Sequence, residues 1–200
     1  MKIYENIIQQ TPEWYAIKRG KMSASHATAI GNAGKGLNTY ILEIVESMIC
    51  GNDGFSNKDM ERGNELEPIA RKTYEFETGN IVKQIGFIEY NDYVGCSPDG
   101  LVNDDGGLEL KARNNKIHLS LLLTDKVDSS TIWQMQMNML ISGRNWWDFG
   151  SYNPNFKQSL YLKRFYPDED YFSRLKKGFE IGEKKLKELL ANKRIQFELS

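Results

Sequence analysis

Residues 97–113 read SPDGLVNDDGGLELKAR. The centre of this stretch, Asn103-Asp104-Asp105-Gly106-Gly107, is a dense run of turn formers. Asn and Asp bond their own backbone, and Gly takes up positive φ without strain. Apolar residues flank the run on both sides, so the stretch predicts a hairpin folded about Asp104–Gly106. Such a fold sets Asp99, near the end of one strand, across from the Glu109–Lys111 region of the other. Side chains alternate along a strand, so Glu109 and Lys111 share a face and Leu110 points away. Pro98 restricts the approach to Asp99. With Leu108 and Leu110 flanking Glu109, the return strand is not wholly exposed.

If that face also holds Asp99, two carboxylates and one ammonium converge. Two hard oxygen ligands suit Mg²⁺, which retains several waters for substrate phosphates. The Leu110 carbonyl offers a third oxygen. An ion there lowers the pKa of bound water and polarises a phosphodiester. Lys111 then orients the attacking water or neutralises charge on the scissile phosphate. An Asp followed by Glu-x-Lys also arises by chance in charged chains, so the neighbouring segments must decide.

Upstream, the chain reads mostly helical. Thr11-Pro12-Glu13 opens a short helix with a capping hydroxyl and Pro at the first position. Ser23 or Ser25 is expected to cap the next. Residues 38–50 have helical spacing and stop at Gly51. Residues 51–57 predict a loop, and 58–78 a long helix with Leu66, Ile69, Ala70, Thr73, Tyr74 and Glu77 along one side. Residues 81–90 predict a strand, followed by strand-like pieces at 93–97 and 100–102. Downstream, helices are expected over 115–125 and 129–142, strands over 146–152 and 159–166, and a long helix from Pro167-Asp168-Glu169. The pattern predicts one α/β domain over 1–200, with a mixed central β-sheet flanked by helices.

Further candidates lie on these elements. Glu67 projects a third carboxylate from the long helix, or faces solvent. Gln134 shares a helix side with Asn138 and can hold water or phosphate, while Met135, Met137 and Met139 read as core filler. Lys18, Arg19, Ser23 and Ser25 form a compact phosphate-binding set, since hydroxyls, helix-start N–H groups and cations suit that anion. His26 and His118 read as structural or surface residues.

Composition bounds the reading. Two hundred residues with 40% hydrophobic content can bury a core without disulfides or a structural metal. Cys50 and Cys96 lack the spacing of a zinc site or an iron–sulfur cluster and suit a reducing cytoplasm. No apolar run is long enough to span a membrane. A net charge of −1 counts mildly against nucleic acid, which attracts Lys and Arg, but a local basic patch suffices.

Taken in order, the pieces resemble the lambda-type exonucleases of phage recombination systems, within the PD-(D/E)xK nuclease superfamily. They are Trp14 with KRGKMSAS (residues 18–25), GNELEPIARKTYEFETG (63–79), CSPDGL (96–101), LELK (108–111) and WQMQMNML (133–140). They span residues 14 to about 150. The resemblance implies a restriction-endonuclease-like core, with Asp99, Glu109 and the Leu110 carbonyl as metal ligands. Lys111 becomes the catalytic lysine, Glu67 the helix-borne acid and further ligand, and Gln134 the active-site glutamine. Ser25 holds a terminal 5′ phosphate, with Ser23 beside it. The family's arginine falls on Lys18, with Arg19 adjacent, and either can serve. The resemblance also implies Mg²⁺ (or Mn²⁺), with two ions, and 5′→3′ digestion of linear duplex DNA. The 3′ single strands left behind pass to a phage single-strand annealing protein. A homotrimer ring around DNA is implied as well, in the cytoplasm of a bacterial host. The alternative is a site- or structure-specific endonuclease of the same superfamily.

Overall fold

The expected hairpin forms, with Gly100, Leu101 and Val102 paired antiparallel to Leu108, Gly107 and Gly106. The computed structural model describes residues 1–51 and 58–199, with backbone alone for 58–61. The expected loop at 51–57 therefore lies, beyond Gly51, outside the described residues.

In chain order the elements are β1 (Lys2–Tyr4), α1 (Pro12–Lys18), β2 (Met22–Ser23), a 3₁₀ turn (Ala24–His26), α2 (Ala27–Asn32), α3 (Lys35–Cys50) and α4 (Lys58–Thr78). Then come β3 (Val82–Lys83), β4 (Phe87–Asn91), β5 (Val94–Cys96), β6 (Gly100–Val102) and β7 (Gly106–Ala112). The chain finishes with α5 (Asn115–Thr124), α6 (Ser129–Ser142), β8 (Trp146–Tyr152), β9 (Leu160–Phe165), α7 (Glu169–Leu190) and α8 (Lys193–Leu199). A five-stranded mixed sheet runs β3-β6-β7-β8-β9, in which only β7 and β8 are parallel. The parallel pair needs a long crossover, and α5 and α6 supply it. A second sheet, β1-β4-β5-β2, lies beside it.

Both faces of the five-stranded sheet are covered. On one, Trp147 and Phe149 of β8 join Met135, Met137 and Met139 of α6, Ile30, Ile41, Leu175 and Phe179 in the larger core. On the other, Leu108 and Leu110 of β7 and Trp146 of β8 pack against Ala70 and Tyr74 of α4. β8 is buried along its whole length, as a central strand should be. Two adjacent glycines make room for its tryptophans. A Cβ on Gly106 would come within 2.1 Å of the Trp146 ring, and one on Gly107 within 2.2 Å of Trp147.

Several expectations need correction. Residues 81–90 are not one strand: they divide into β3 and β4, which belong to different sheets. The break falls at Gly86, whose N–H donates to the Tyr4 carbonyl and whose missing side chain leaves space for Ile7. Strands β1 and β2 are too short to show a period. Ser23 stands at the N-cap position of the 3₁₀ turn, but its side chain makes no capping bond, and Ser25 lies within that turn. On α4, Ile69 is half exposed and Glu77 exposed, whereas Arg71 is buried with Ala70 and Tyr74. A polar bond explains the choice of face. The Tyr74 hydroxyl donates to Asp148 Oδ2 at 2.8 Å, and Arg164 grips the same carboxylate with two bonds.

Candidate active site

Asp99 lies one residue before β6. Extending the β6–β7 register by one step sets it opposite Glu109. Directly opposed residues share a face of the sheet, which draws the two carboxylates together. Asp99 Oδ2 accepts the Leu110 backbone N–H at 2.6 Å, a bond that replaces the ladder where β6 ends. In a strand a residue's N–H and C=O point to the same neighbour, so the Leu110 carbonyl also faces the Asp99 side.

Glu109 is fully buried, on the larger-core face of β7. Neither of its oxygens receives a hydrogen bond among the described residues. Lys111 Nζ sits 2.5 Å from Oε1 as its ion partner. Glu67 reaches the same cleft from α4 and is ion-paired with Arg71 one turn on. Asp99, Glu67, Leu110 and Lys111 line an open cleft of about 410 Å³, together with Gln9, Gln10, Asn64 and Arg113. Gln10 and Asn64 exchange amide hydrogen bonds of 2.9 and 2.8 Å across it.

The charges are strained by burial. Desolvation lifts Glu109 to about 7, against the pull of Lys111 and with repulsion from Asp99 and Glu67. Glu67 is lifted to about 7 by burial and by Asp99, against Arg71 and Lys111. Asp99 is raised by burial, although Lys111, the Leu110 N–H and Arg71 oppose it. For Lys111, burial favours the neutral amine, but Glu109 and Asp99 outweigh it and raise the pKa. Three carboxylates against two cations, Lys111 and Arg71, leave the pocket short of positive charge. A divalent cation fits that deficit, and hard oxygen donors fit magnesium or manganese. Among the described residues no three His, Cys, Asp or Glu side chains converge on one point. Asp99 and Glu109 are thus the pair available, and Glu67 stands off with Arg71.

Gln134 is half-buried on α6 and is not among the residues lining this cleft. Its neighbour Gln136 is the engaged amide: it donates to the Tyr166 carbonyl and accepts the Asp168 N–H, fastening α7 to α6. Met135, Met137 and Met139 are core, as expected. Both ring nitrogens of His118 are bonded, to Ser151 Oγ and the Gln158 carbonyl, which fits a structural role.

The N-terminal set does form a cavity, of about 270 Å³, lined by Lys18, Arg19, Lys21, Ser23, Ser25, His26 and Tyr40 among others. Ser23 Oγ lies 3.0 Å from Ser25 Oγ and 3.2 Å from the Tyr40 hydroxyl. Lys18 stacks over the Trp14 ring. The Trp14 indole N–H bonds both the Gly86 carbonyl and Ser97 Oγ, tying α1 to the strand that leads to Asp99. Sequence reading missed Arg71, His26 and Tyr40. Arg71 had a signal in its i, i+4 spacing from Glu67, but His26 and Tyr40 meet only through the fold.

Residues 13–145 match the model of the YqaJ-like viral recombinase domain. The chain belongs to the YqaJ-like viral recombinase family. Solved structures of the alkaline exonuclease LHK-Exo from Laribacter hongkongensis agree with that. One superposes with a TM-score of 0.83 at 31% identity, covering 94% of this chain and 95% of that one. The structure of LHK-Exo in complex with dAMP gives 0.83 at 32% identity, over the same shares. A phage-related exonuclease from Haemophilus somnus shares the fold, with a TM-score of 0.66 at 15% identity over 88% of this chain and 98% of that one. No curated protein sequence matches the chain. Family and fold together place it among the lambda-type exonucleases and make it a nuclease of the exonuclease kind.

Proposed function

We propose that this chain is a divalent-metal-dependent exonuclease that digests one strand of linear duplex DNA in the 5′→3′ direction. The observation that carries the reading is Glu109, a fully buried carboxylate with no hydrogen bond, in register with Asp99 and beside Lys111. Lys111 is one cation shared by two facing carboxylates, and such a pair is costly to bury unless further positive charge completes it. Asp99, Glu109 and the Leu110 carbonyl are the residues that hold Mg²⁺ or Mn²⁺. The bound ion supplies a polarised phosphodiester and an acidified water. Lys111, one-third exposed at the cleft, holds a proton throughout and neutralises charge that builds on the scissile phosphate. Arg71 pairs with Glu67 at the cleft and opposes the burial that raises its pKa.

Polarity comes from the N-terminal cavity. Ser25 and Ser23, with Lys18 or Arg19, hold the terminal 5′ phosphate, and Trp14 fixes that cavity relative to Asp99. The remaining 3′ single strand passes to a phage-type annealing protein. The net charge of −1 supports a ring: a homotrimer that encircles DNA stays on it without a strong bulk electrostatic grip.

The test uses Mg²⁺ and linear duplex labelled at the 5′ or 3′ end, with and without a 5′ phosphate. The expected result is loss of the 5′ strand with the 3′ strand retained. Asp99→Ala and Lys111→Ala each lose about 10²–10³ in rate, the usual effect of removing one preorganised stabilising group. Undiminished digestion by Asp99→Ala would sink the site. Cutting of closed circles without digestion of linear duplex would assign an endonuclease instead.

A further inference from the structure

The N-terminal cavity contains a chain of hydroxyls whose proton directions can be counted. The Ser23 backbone N–H donates to the Tyr40 hydroxyl oxygen at 2.9 Å. Tyr40 is buried, and the acceptor for its own proton is Ser23 Oγ, 3.2 Å away. Ser23 is also buried, so its proton goes on to Ser25 Oγ at 3.0 Å. Each hydroxyl has one proton to give. Only the Ser25 proton remains unassigned, and its partner is Nδ1 of His26 at 3.2 Å. The His26 ring is held in place by stacking on Tyr40, 3.8 Å between centroids and 8° from parallel.

We infer that His26 is a positioning residue that makes this cavity select a phosphate monoester over a hydroxyl at the DNA end. The inference rests on the 5′-phosphate reading of the cavity. The relay from Tyr40 through Ser23 delivers every proton outward, so Ser25 always has one to offer. In the empty cavity it goes to His26 Nδ1 when the ring carries its proton on Nε2. In the loaded cavity it turns to a phosphate oxygen. His26 Nδ1, left without a donor and facing a dianion, then takes up one proton from solvent and becomes a second cation beside Lys18. A terminal hydroxyl carries no charge to stabilise that proton and gains neither contact.

The groups facing His26 support this balance. Glu43 and Tyr40 come from α3 and Lys18 from α1, and Arg19 and Lys21 share the cavity wall. Burial holds His26 below its ordinary value, with Glu43 pulling it up and Lys18 pushing it down, which favours the neutral ring before phosphate arrives. His118, the other histidine of the chain, has both nitrogens engaged elsewhere, which leaves the His26 ring signal separable by NMR.

The experiment compares kcat/KM on 5′-phosphorylated and 5′-hydroxyl duplexes for the wild type, Ser25→Ala, His26→Ala and His26→Gln. It also follows the His26 ring by proton NMR as a 5′-phosphorylated oligonucleotide is added. The expected result is a phosphate preference that falls about tenfold in His26→Ala, through KM, as for a hydrogen bond to a charged group. His26→Gln, which can hold Ser25 but cannot charge, recovers part of the loss. Between about pH 7 and about pH 9 the wild-type preference falls more steeply than that of His26→Gln. Lys18, whose pKa burial lowers, is the same in both proteins, so the difference isolates His26. On binding, the His26 ring signal moves toward its protonated position. Full preference in His26→Ala, or an unmoved ring signal, overturns the inference. If Ser25→Ala also keeps the preference, or the wild type has none, the cavity does not hold the phosphate and the 5′-end reading fails with it.

Discussion

Glu109 is the residue on which the chemistry depends, and its burial makes a prediction that needs no substrate. Two carboxylates facing each other across a hairpin repel, and the metal-free fold bears that repulsion. Glu109→Gln keeps the shape and removes one charge. The metal-free variant should melt above the metal-free wild type. Mg²⁺ should raise the wild-type melting temperature, by about 2.7 kcal/mol of stability at a hundredfold excess over its dissociation constant. In Glu109→Gln and Asp99→Ala that rise should vanish. Differential scanning fluorimetry with and without Mg²⁺ reads both effects, and an equal Mg²⁺ shift in all three proteins would refute the assignment. The residues of this pair were legible in the sequence because turn chemistry fixed the register, and the register fixed the facing pair. Glu67 was legible as a residue, but its ion pair with Arg71 was not, since the expected apolar side of α4 ran through Ile69 and Glu77.

Among the elements, the long helices and strands followed their periods, and the failures have a common cause. β1, β2 and β3 are two or three residues each, shorter than the period needed to recognise them. Their pairing depends on partners far along the chain, as in the Tyr4–Phe87 register. The start of α6 offers a sharper test. Asp128 caps this helix by accepting the Thr131 N–H at 2.9 Å, and Ser130 and Thr131 hydroxyls and Arg113 also bond it. Asp128→Ala should cost about 1 kcal/mol. Burial works to raise the Asp128 carboxyl, but those hydrogen bonds and Arg113 hold it below its ordinary value. A depressed carboxylate adds stability that is present above its unfolded value and is lost as pH falls through the folded one. The gap between wild type and Asp128→Ala in urea melts should therefore be full near neutrality and close in acid. A gap that persists at the lowest pH would show that the charge contributes nothing.

For the whole molecule, assembly is the open dimension. A ring of three should appear by light scattering at micromolar concentration as three times the 23.0 kDa chain mass, and a monomeric mass would count strongly against it. The ring is expected from the family resemblance alone, because a surface shared between copies has no period or turn signal of its own. The central sheet was legible from the order of the elements, and Lys18, Arg19, Ser23 and Ser25 as a set, whereas the second sheet and the cavity that His26 and Tyr40 complete were not. Both are closed by contacts between residues 14–26 and 85–97, which no local pattern foretells.

Trp14 joins those two regions, and its indole gives the molecule a measuring stick. One nitrogen joins α1 to Gly86 before β4 and to Ser97, two residues before Asp99. Under the proposed function, this link sets the spacing between the end-binding cavity and the cleavage site, and a stiff spacing would fix the length of the fragment released. Trp14→Phe keeps the ring and removes the N–H that bonds at both points. Cleavage should continue with that variant, and products expected to be uniform in length for the wild type should become a mixture of lengths when resolved by mass spectrometry. A uniform product from Trp14→Phe would mean that the calibration lies elsewhere.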